Sequence, residues 1–442
     1  VMIADYGDSA APRPIIIGGT ANAGAIYFTN SRVVVVRNMD VMHPVSSSNG
    51  TGIYGFAQSA NRMNKITIEN CYVHDCKGYG IDLSQLRTGT AAIASYEILV
   101  KNCDVEDVGY HGISMVGKCD SARFENCSVV RAALTTDGYG INVGCPSVNY
   151  TSAGWTLVGG TTYSRAVVLG EWPTLQGALD YIRKVSTAGS GLAFDHLTEN
   201  TSTPTTPAVG QFGFSAGTLY VNAGVASASF GDIRVCPDNT FVVVKQCRAS
   251  YTNKVSVEGV GIVSDDTSSA TIIECKSFNN EGYGIQAHRA VRAKIVGNLM
   301  YGNADGALRL AGGLDNLVTN NTCSASASSN GVTLAFSSTN ATVKNNLIVN
   351  ASVGIFGPAP ATGSASNNGF FNCATNLSGI SSGGGDITAE PGLDGAYKPT
   401  ASSPLYHAGT HLGYITDSDS SQYYNPPTIG AYEVMEPRPE RI

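Results

Sequence analysis

Charge is what this sequence has least of. Only 14% of its 442 residues are Asp, Glu, Lys or Arg, whereas a helical protein of this size would carry more Lys and Glu on its exposed faces. The formal net charge is −7 and there is no Lys/Arg-rich run. That argues against a nucleic-acid partner, because phosphate binding needs a basic footprint. No apolar stretch reaches the roughly 18 residues that a membrane span requires. The opening VMIADYGDSAAPRP lacks the basic and apolar regions of a signal peptide. It starts abruptly on a strand-like segment, as a mature or trimmed product does, and leaves export open. The 11 Cys, an odd number, fit neither CxxC zinc pairs nor a small disulfide scaffold.

Glycine, by contrast, is abundant at 51 residues, alongside many Ser, Thr, Asn and Ala. This composition reads as many short strands joined by tight polar turns. Length alone suggests two to four domains, but an internal repeat overrides that prior. RVVVVRNM ends at Met39, KITIENC at Cys71, EILVKNC at Cys103 and ARFENC at Cys127, spaced 32, 32 and 24 residues apart. FVVVKQC ends at Cys247, and later copies place Cys275, Leu299, Cys323 and Leu347 at steps of 28, 24, 24 and 24, with Phe371 one step of 24 beyond. The alternation within each copy has period two, so the coils are strands, and 24 residues leave no room for a helix beside them. The expectation is an all-β, right-handed parallel β-helix solenoid with a small mixed α/β insertion and a C-terminal cap.

Equivalent residues of successive coils then lie about 4.8 Å apart. On this register Asn70, Asn102, Asn126, Gln246, Asn298 and Asn346 form an amide ladder in a turn. Cys71, Cys103, Cys127, Cys247, Cys275 and Cys323 form an inward column of small apolar residues one position later. Unpaired thiols in such a column slightly favour folding in a reducing compartment. Gly-Tyr-Gly-Ile recurs at Gly78, Gly138 and Gly282, and a looser copy, GYHGI, begins at Gly109. Its Ile residues, Ile81, Ile113, Ile141 and Ile285, plug the core together with Ile262. The residue after each Ile faces outward, giving the column Tyr54, Asp82, Ser114, Asn142, Val263, Gln286, Arg309 and Thr333.

Four regions follow. Residues 1–154 are N-terminal coils and 155–235 an insertion. Residues 236–385 are C-terminal coils, and 386–442 is a Pro/Gly-rich segment expected to cap the open last coil. Within the insertion, WTLVGGTTYSRAVVL reads as two short strands. PTLQGALDYIRKVS, residues 173–186, reads as the one helix, with Pro173 in its first turn and Leu175, Leu179 and Ile182 on one face. GTLYVNAG, 217–224, reads as a strand returning to the coils.

IADYGDSAAPRPII, the closing SSPLYHAGT with IGAYE, and the insertion motifs WTLVGGTTYS and GTLYVN resemble the right-handed parallel β-helix superfamily, the pectate-lyase-like fold. That resemblance covers nearly the whole chain. It implies an extended sugar chain bound along the outward face of one sheet. It leaves chemistry open, because the superfamily includes polysaccharide lyases, glycoside hydrolases, epimerases, phage tailspikes and proteins without catalysis. No DPHD-type epimerase motif, no Asp-Asp pair of polygalacturonase-like spacing and no acidic calcium-site run stands out. Calcium is the one cofactor left open.

Reactive side chains are densest between residues 74 and 142. Tyr79, His111 and Tyr139 share one groove edge, and Asp82, Ser114 and Asn142 its floor. His111 departs from the Tyr of the other copies and brings one extra residue. The catalytic candidates are His111, Tyr79, Asp82 and Asp137. Lys77, Ser114, Tyr139, Asn142, Gln286, His288 and Arg309 are the binding candidates, with Arg309 placed either on a uronate or against Asp305. For β-elimination, His111 or Tyr79 is the base and Lys77 or Asn142 sits beside the carboxylate. For hydrolysis, Asp82 and Asp137, two coils and about 9.6 Å apart, would form a loose inverting pair. The bland alternative is that outward polar residues are solvated surface and turn Asp residues cap backbone NH groups. The reading is thus a polysaccharide-binding and polysaccharide-degrading protein working outside the cell, at a cell surface or on a virion. Its rival is a non-catalytic tailspike, adhesin or structural solenoid, homotrimeric if tailspike-like.

Overall fold

The computed structural model describes residues 1–4, 12–19, 24–45, 50–57, 63–85, 95–117, 119 and 121–144 of the first coils. Within the insertion it describes 148–150, 156–160, 162–166, 184–188, 194–199, 202–203, 205–208, 211–215, 218–222 and 233–236. After it come 242–413 except 257, 266, 268, 337 and 360, then 417 and 425–433.

Three parallel sheets run the length of the solenoid, of 12, 11 and 11 strands; we call them A, B and C in the order the chain visits them. One coil is Asn64–Glu69 in sheet A, Tyr72–Cys76 in B and Ile81–Gln85 in C. The strands alternate because one face must be buried and the other not. In sheet C the residues Ile53, Ile81, Ile113, Ile141, Ile262 and Ile285 stand in register and are fully buried, as the repeat requires. Each such side chain contributes about 1.5–3 kcal/mol.

The corner from A to B is a single left-handed residue: Asn38, Asn70, Asn102, Asn126, Gln246, Glu274, Gly297, Asn320, Asn345 and Asn367 all have φ between 51 and 63°. Asn and Gly tolerate this conformation best. The register corrects the expected amide ladder. Lys276 pairs with Leu299, Leu299 with Thr322 and Thr322 with Leu347, so the uniform step of 24 slips by one residue. Asn70, Asn102 and Asn126 form one ladder at the exposed corner, amide to amide at 3.1 and 2.9 Å. Asn298, Asn321, Asn346 and Asn368 form a second ladder, buried, one position later. This second ladder continues the thiol column, for the backbone N–H of Cys275 donates to Asn298 Oδ1 at 2.9 Å. Cys323 leaves that column and stands opposite Met300 and Ile348 in sheet B. Cys71, Cys76, Cys103, Cys119, Cys127, Cys247, Cys275, Cys323 and Cys373 form no disulfide.

The insertion is an eight-stranded sheet running from Val148–Tyr150 to Ile233–Cys236. Thr156–Gly159 and Thr162–Ala166 form the expected antiparallel pair. Residues 173–183 of the expected helix lie outside the described residues, and its last positions are instead the strand Lys184–Ala188. Thr218–Asn222 pairs with Thr162–Ala166 and Gln211–Ser215, so it is an interior strand of the inserted sheet rather than a return to the coils. The chain re-enters the coils with Val242–Lys245, which pairs with Ala122–Glu125 in sheet A. Sheet C passes this interruption unbroken: Tyr139–Gly144 pairs directly with Val260–Asp265.

The C-terminal segment stays with the last coil through a bridge from Ile387 to Gly369. It then runs back over the outer face of sheet B. There Leu405 and Ile429 pack on Leu347 and Val349, Ala431 and Tyr432 pack on Leu299, and the Ala431 N–H donates to Thr322 Oγ1 at 3.0 Å.

Candidate functional site

The outward face of sheet C carries the column read from the repeat. Tyr54, Asp82, Ser114, Asn142, Val263, Gln286, Arg309 and Thr333 form one continuous register column. It is less open than expected, since Asp82, Ser114, Asn142 and Gln286 are all buried. Asp82 accepts a hydrogen bond from Ser84 Oγ. Ser114 Oγ and Asn142 Oδ1 are buried without a hydrogen-bond partner among the described residues. Buried polar atoms are nearly always paired, so this stretch of the column holds binding capacity that the described residues do not use.

Beside the column stands the aromatic edge. The His111 ring lies 5.2 Å from Tyr79, edge-on, and 4.9 Å from Tyr139, stacked. Tyr110, the extra residue of that copy, stacks on His111 at 3.8 Å. His111 is buried, and its Nδ1 accepts the backbone N–H of Tyr139 at 3.0 Å. In the neutral ring the proton therefore sits on Nε2, and the one basic lone pair is already engaged.

The remaining candidates separate. Asp137 accepts from Ser256 N at 2.6 Å and from Ser256 Oγ; it anchors the turn before Glu258, ahead of Asn142, the residue of its coil that stands in Asp82's column. Lys77 sits at the corner between sheets B and C, on a cavity of about 350 Å³ shared with Asp75, Asp107 and Thr135. Arg309 does not pair with Asp305, which is taken by Lys254 at 2.7 Å. Its guanidinium lies over the rings of Tyr283 and Phe336, at 5.3 and 4.8 Å, and its Nε is buried without a hydrogen-bond partner among the described residues.

Two acidic residues that the sequence reading passed over complete the face. Asp265 stands in the next outward column, in register with His288, and its Oδ1 lies 2.9 Å from His288 Nδ1 and 3.0 Å from an Arg289 nitrogen. Burial pushes its carboxyl up, but the hydrogen bonds and charges of His288 and Arg289 outweigh this and hold it well below the usual carboxylate range. Glu258 behaves oppositely. Burial, with help from the nearby Asp265 and Asp137, pushes its carboxyl up against a hydrogen bond with Tyr139. Burial and Glu258 together push the Tyr139 phenol up as well. The face thus gathers an imidazole oriented by a carboxylate, a carboxyl inclined to keep its proton, and a guanidinium clamped by two rings. Asp265 was findable in sequence, since it follows the column residue Val263 by two positions, as His288 follows Gln286. Glu258 lies before its strand, where the repeat carries no signal. Among the described residues no group of three or more His, Cys, Asp or Glu is arranged to hold a metal ion.

The fold and its face define a parallel β-helix solenoid. The sequence matches the family described as right handed beta helix region over residues 16–164 and 233–391, more than half of the chain, and the protein belongs to that family. No curated protein matches it. Among solved structures, pectate lyase Pel9A shares 10% identity over 96% of this chain and 87% of its own, with a TM-score of 0.49. The A-module of the Azotobacter vinelandii mannuronan C-5 epimerase AlgE6 shares 12% over 86% and 80%, at 0.35. XylC, solved with xylose, shares 12% over 74% and 63%, at 0.24. At such identities and scores these likenesses carry no argument about activity.

Proposed function

We propose that this protein binds an acidic polysaccharide along the outer face of sheet C and cleaves it by β-elimination. The observation that carries the reading is the Asp265–His288 pair one column from the ring-clamped Arg309. A single oriented base beside a cation suits abstraction of the proton α to a uronate carboxylate. Hydrolysis needs two opposed carboxylates, and Asp137 is instead engaged by the Ser256 backbone and hydroxyl. In the proposed step His288 Nε2 takes that proton, and Arg309 offsets the charge growing on the carboxylate. The electron pair forms the carbon–carbon double bond, and the glycosidic oxygen leaves with a proton from Glu258 or Tyr139. Ser114, Asn142 and Gln286 hold neighbouring sugars, and Tyr79 and His111 shape the edge. Such polymers place the protein outside the cell, at a cell surface or on a virion.

The test is incubation with uronate polysaccharides while unsaturated product, by ultraviolet absorbance, and reducing ends are followed together. Both signals should rise, and His288→Ala should lower turnover by about 100-fold or more, the usual contribution of a positioned base. Reducing ends without unsaturation would replace elimination by hydrolysis. Silence across the panel would favour a non-catalytic, glycan-recognising role of the tailspike or adhesin kind.

A further inference from the structure

A second concavity lies at the A/B corner, the one corner that sheet C does not border. It has a volume of about 670 Å³ and spans four successive coils. Its floor is the register column Asp104, Ser128, Arg248 and Lys276, and its rim carries the corner amides Asn126 and Gln246. The Asp104 and Ser128 side chains make no hydrogen bond to any described residue, and Arg248 is held in place by the Phe278 ring, 4.5 Å from its guanidinium.

The groove presents one polar floor side chain per coil, of differing chemistry, about 4.8 Å apart, which suits a polymer of regular step lying along the solenoid axis. A 1,4-linked uronate chain advances by a similar step per sugar. An added peptide strand is disfavoured, because the strands flanking the groove are already paired on both sides. A helix would find no apolar floor. Hydroxyl groups suit the amides, Ser128 and Asp104, while Arg248 and Lys276 in adjacent coils suit carboxylates. We infer that this groove is a second, non-catalytic site holding a uronate-bearing glycan chain. It rests on the proposed reading for the kind of polymer only, not for the chemistry of sheet C.

The experiment measures binding of polygalacturonate and polymannuronate to the intact protein by affinity electrophoresis, together with turnover of a short uronate oligosaccharide. Ser128→Trp, which fills the floor from a part-exposed position, and Arg248→Glu should each weaken polymer binding about tenfold with oligosaccharide turnover unchanged. His288→Ala should lose turnover and keep polymer affinity. Wild-type polymer affinity in both groove variants, with turnover intact, would overturn the groove alone. Groove-dependent binding without any turnover would sustain the groove and remove the catalytic reading. Absence of polymer binding by the wild type would overturn the groove outright.

Discussion

At the scale of single residues, the recurrence of Gly-Tyr-Gly-Ile has a steric cause. A Cβ on Gly112 would stand 2.6 Å from the carbonyl oxygen of Gly140 and 2.2 Å from Val129 Cγ1. The second glycine of each copy lets one coil settle on the next, and the Ile after it fills the core. Gly112→Ala is expected to lower stability by about 1–3 kcal/mol, as overpacking does. Gly159→Ala, where an added Cβ meets nothing within 4 Å, should be near neutral; urea midpoints compare the two. Glu258 governs pH dependence in the proposed chemistry. Its carboxyl is raised above the ordinary value near 4.3, so it keeps its proton where an ordinary Glu has lost it. As a proton donor to the leaving oxygen it fails once pH rises through that raised value. The kcat profile should fall on its alkaline side, and Glu258→Gln should lower kcat and remove that fall, which a profile of the two proteins measures directly.

At the scale of elements, the strands were legible and the corners only partly so. Period-two alternation and the recurring Ile positions fixed which side chains face in, because a one-residue error would turn a whole strand inside out. Corners tolerate a residue more or less, and there the even step of 24 misled: Asn298 and Asn346 sit one place, and Cys323 two places, from where equal spacing puts them. The result is a buried ladder that does what a thiol column does not. Asn321 donates through Nδ2 to Ile295 O, Thr319 O and Asn346 Oδ1 at 2.9, 3.0 and 2.9 Å, and its Oδ1 accepts from the backbone and side chain of Asn298. Removing it strands several buried groups at once, at about 1–3 kcal/mol for each. Asn321→Leu should therefore lower the urea midpoint far more than Asn126→Ala at the exposed corner. Equal losses in the two variants would deny the buried ladder its special weight.

At the scale of the whole molecule, the chain separates what stabilises from what binds. Sheet C runs past the insertion without a break, as the outward column from Asn142 to Val263 requires; the pairing of Tyr139–Gly144 with Val260–Asp265 puts Gln286, His288 and Arg309 on the same face as Asp82 and Asn142. Pairing of residues distant in sequence has no local signature, so Glu258, held near Tyr139 by the turn that Asp137 anchors, lay beyond a repeat-based reading. The C-terminal segment illustrates the division. It buries Leu299, Leu347 and Val349 on the flank of sheet B, and none of the residues of the proposed chemistry belongs to that contact. A protein ending at residue 385 should therefore expose an apolar strip on sheet B and the edge of the last coil. Solenoid stability is a sum of coil and neighbour contributions, so the loss should begin at that end and spread. The truncated protein is expected to unfold at a lower temperature and to scatter light on warming, since an uncovered strand edge pairs with another chain. At low temperature its turnover of a short uronate oligosaccharide should match that of the full chain. Loss of turnover with the coils still folded by circular dichroism would mean that the segment reaches across the solenoid to support sheet C.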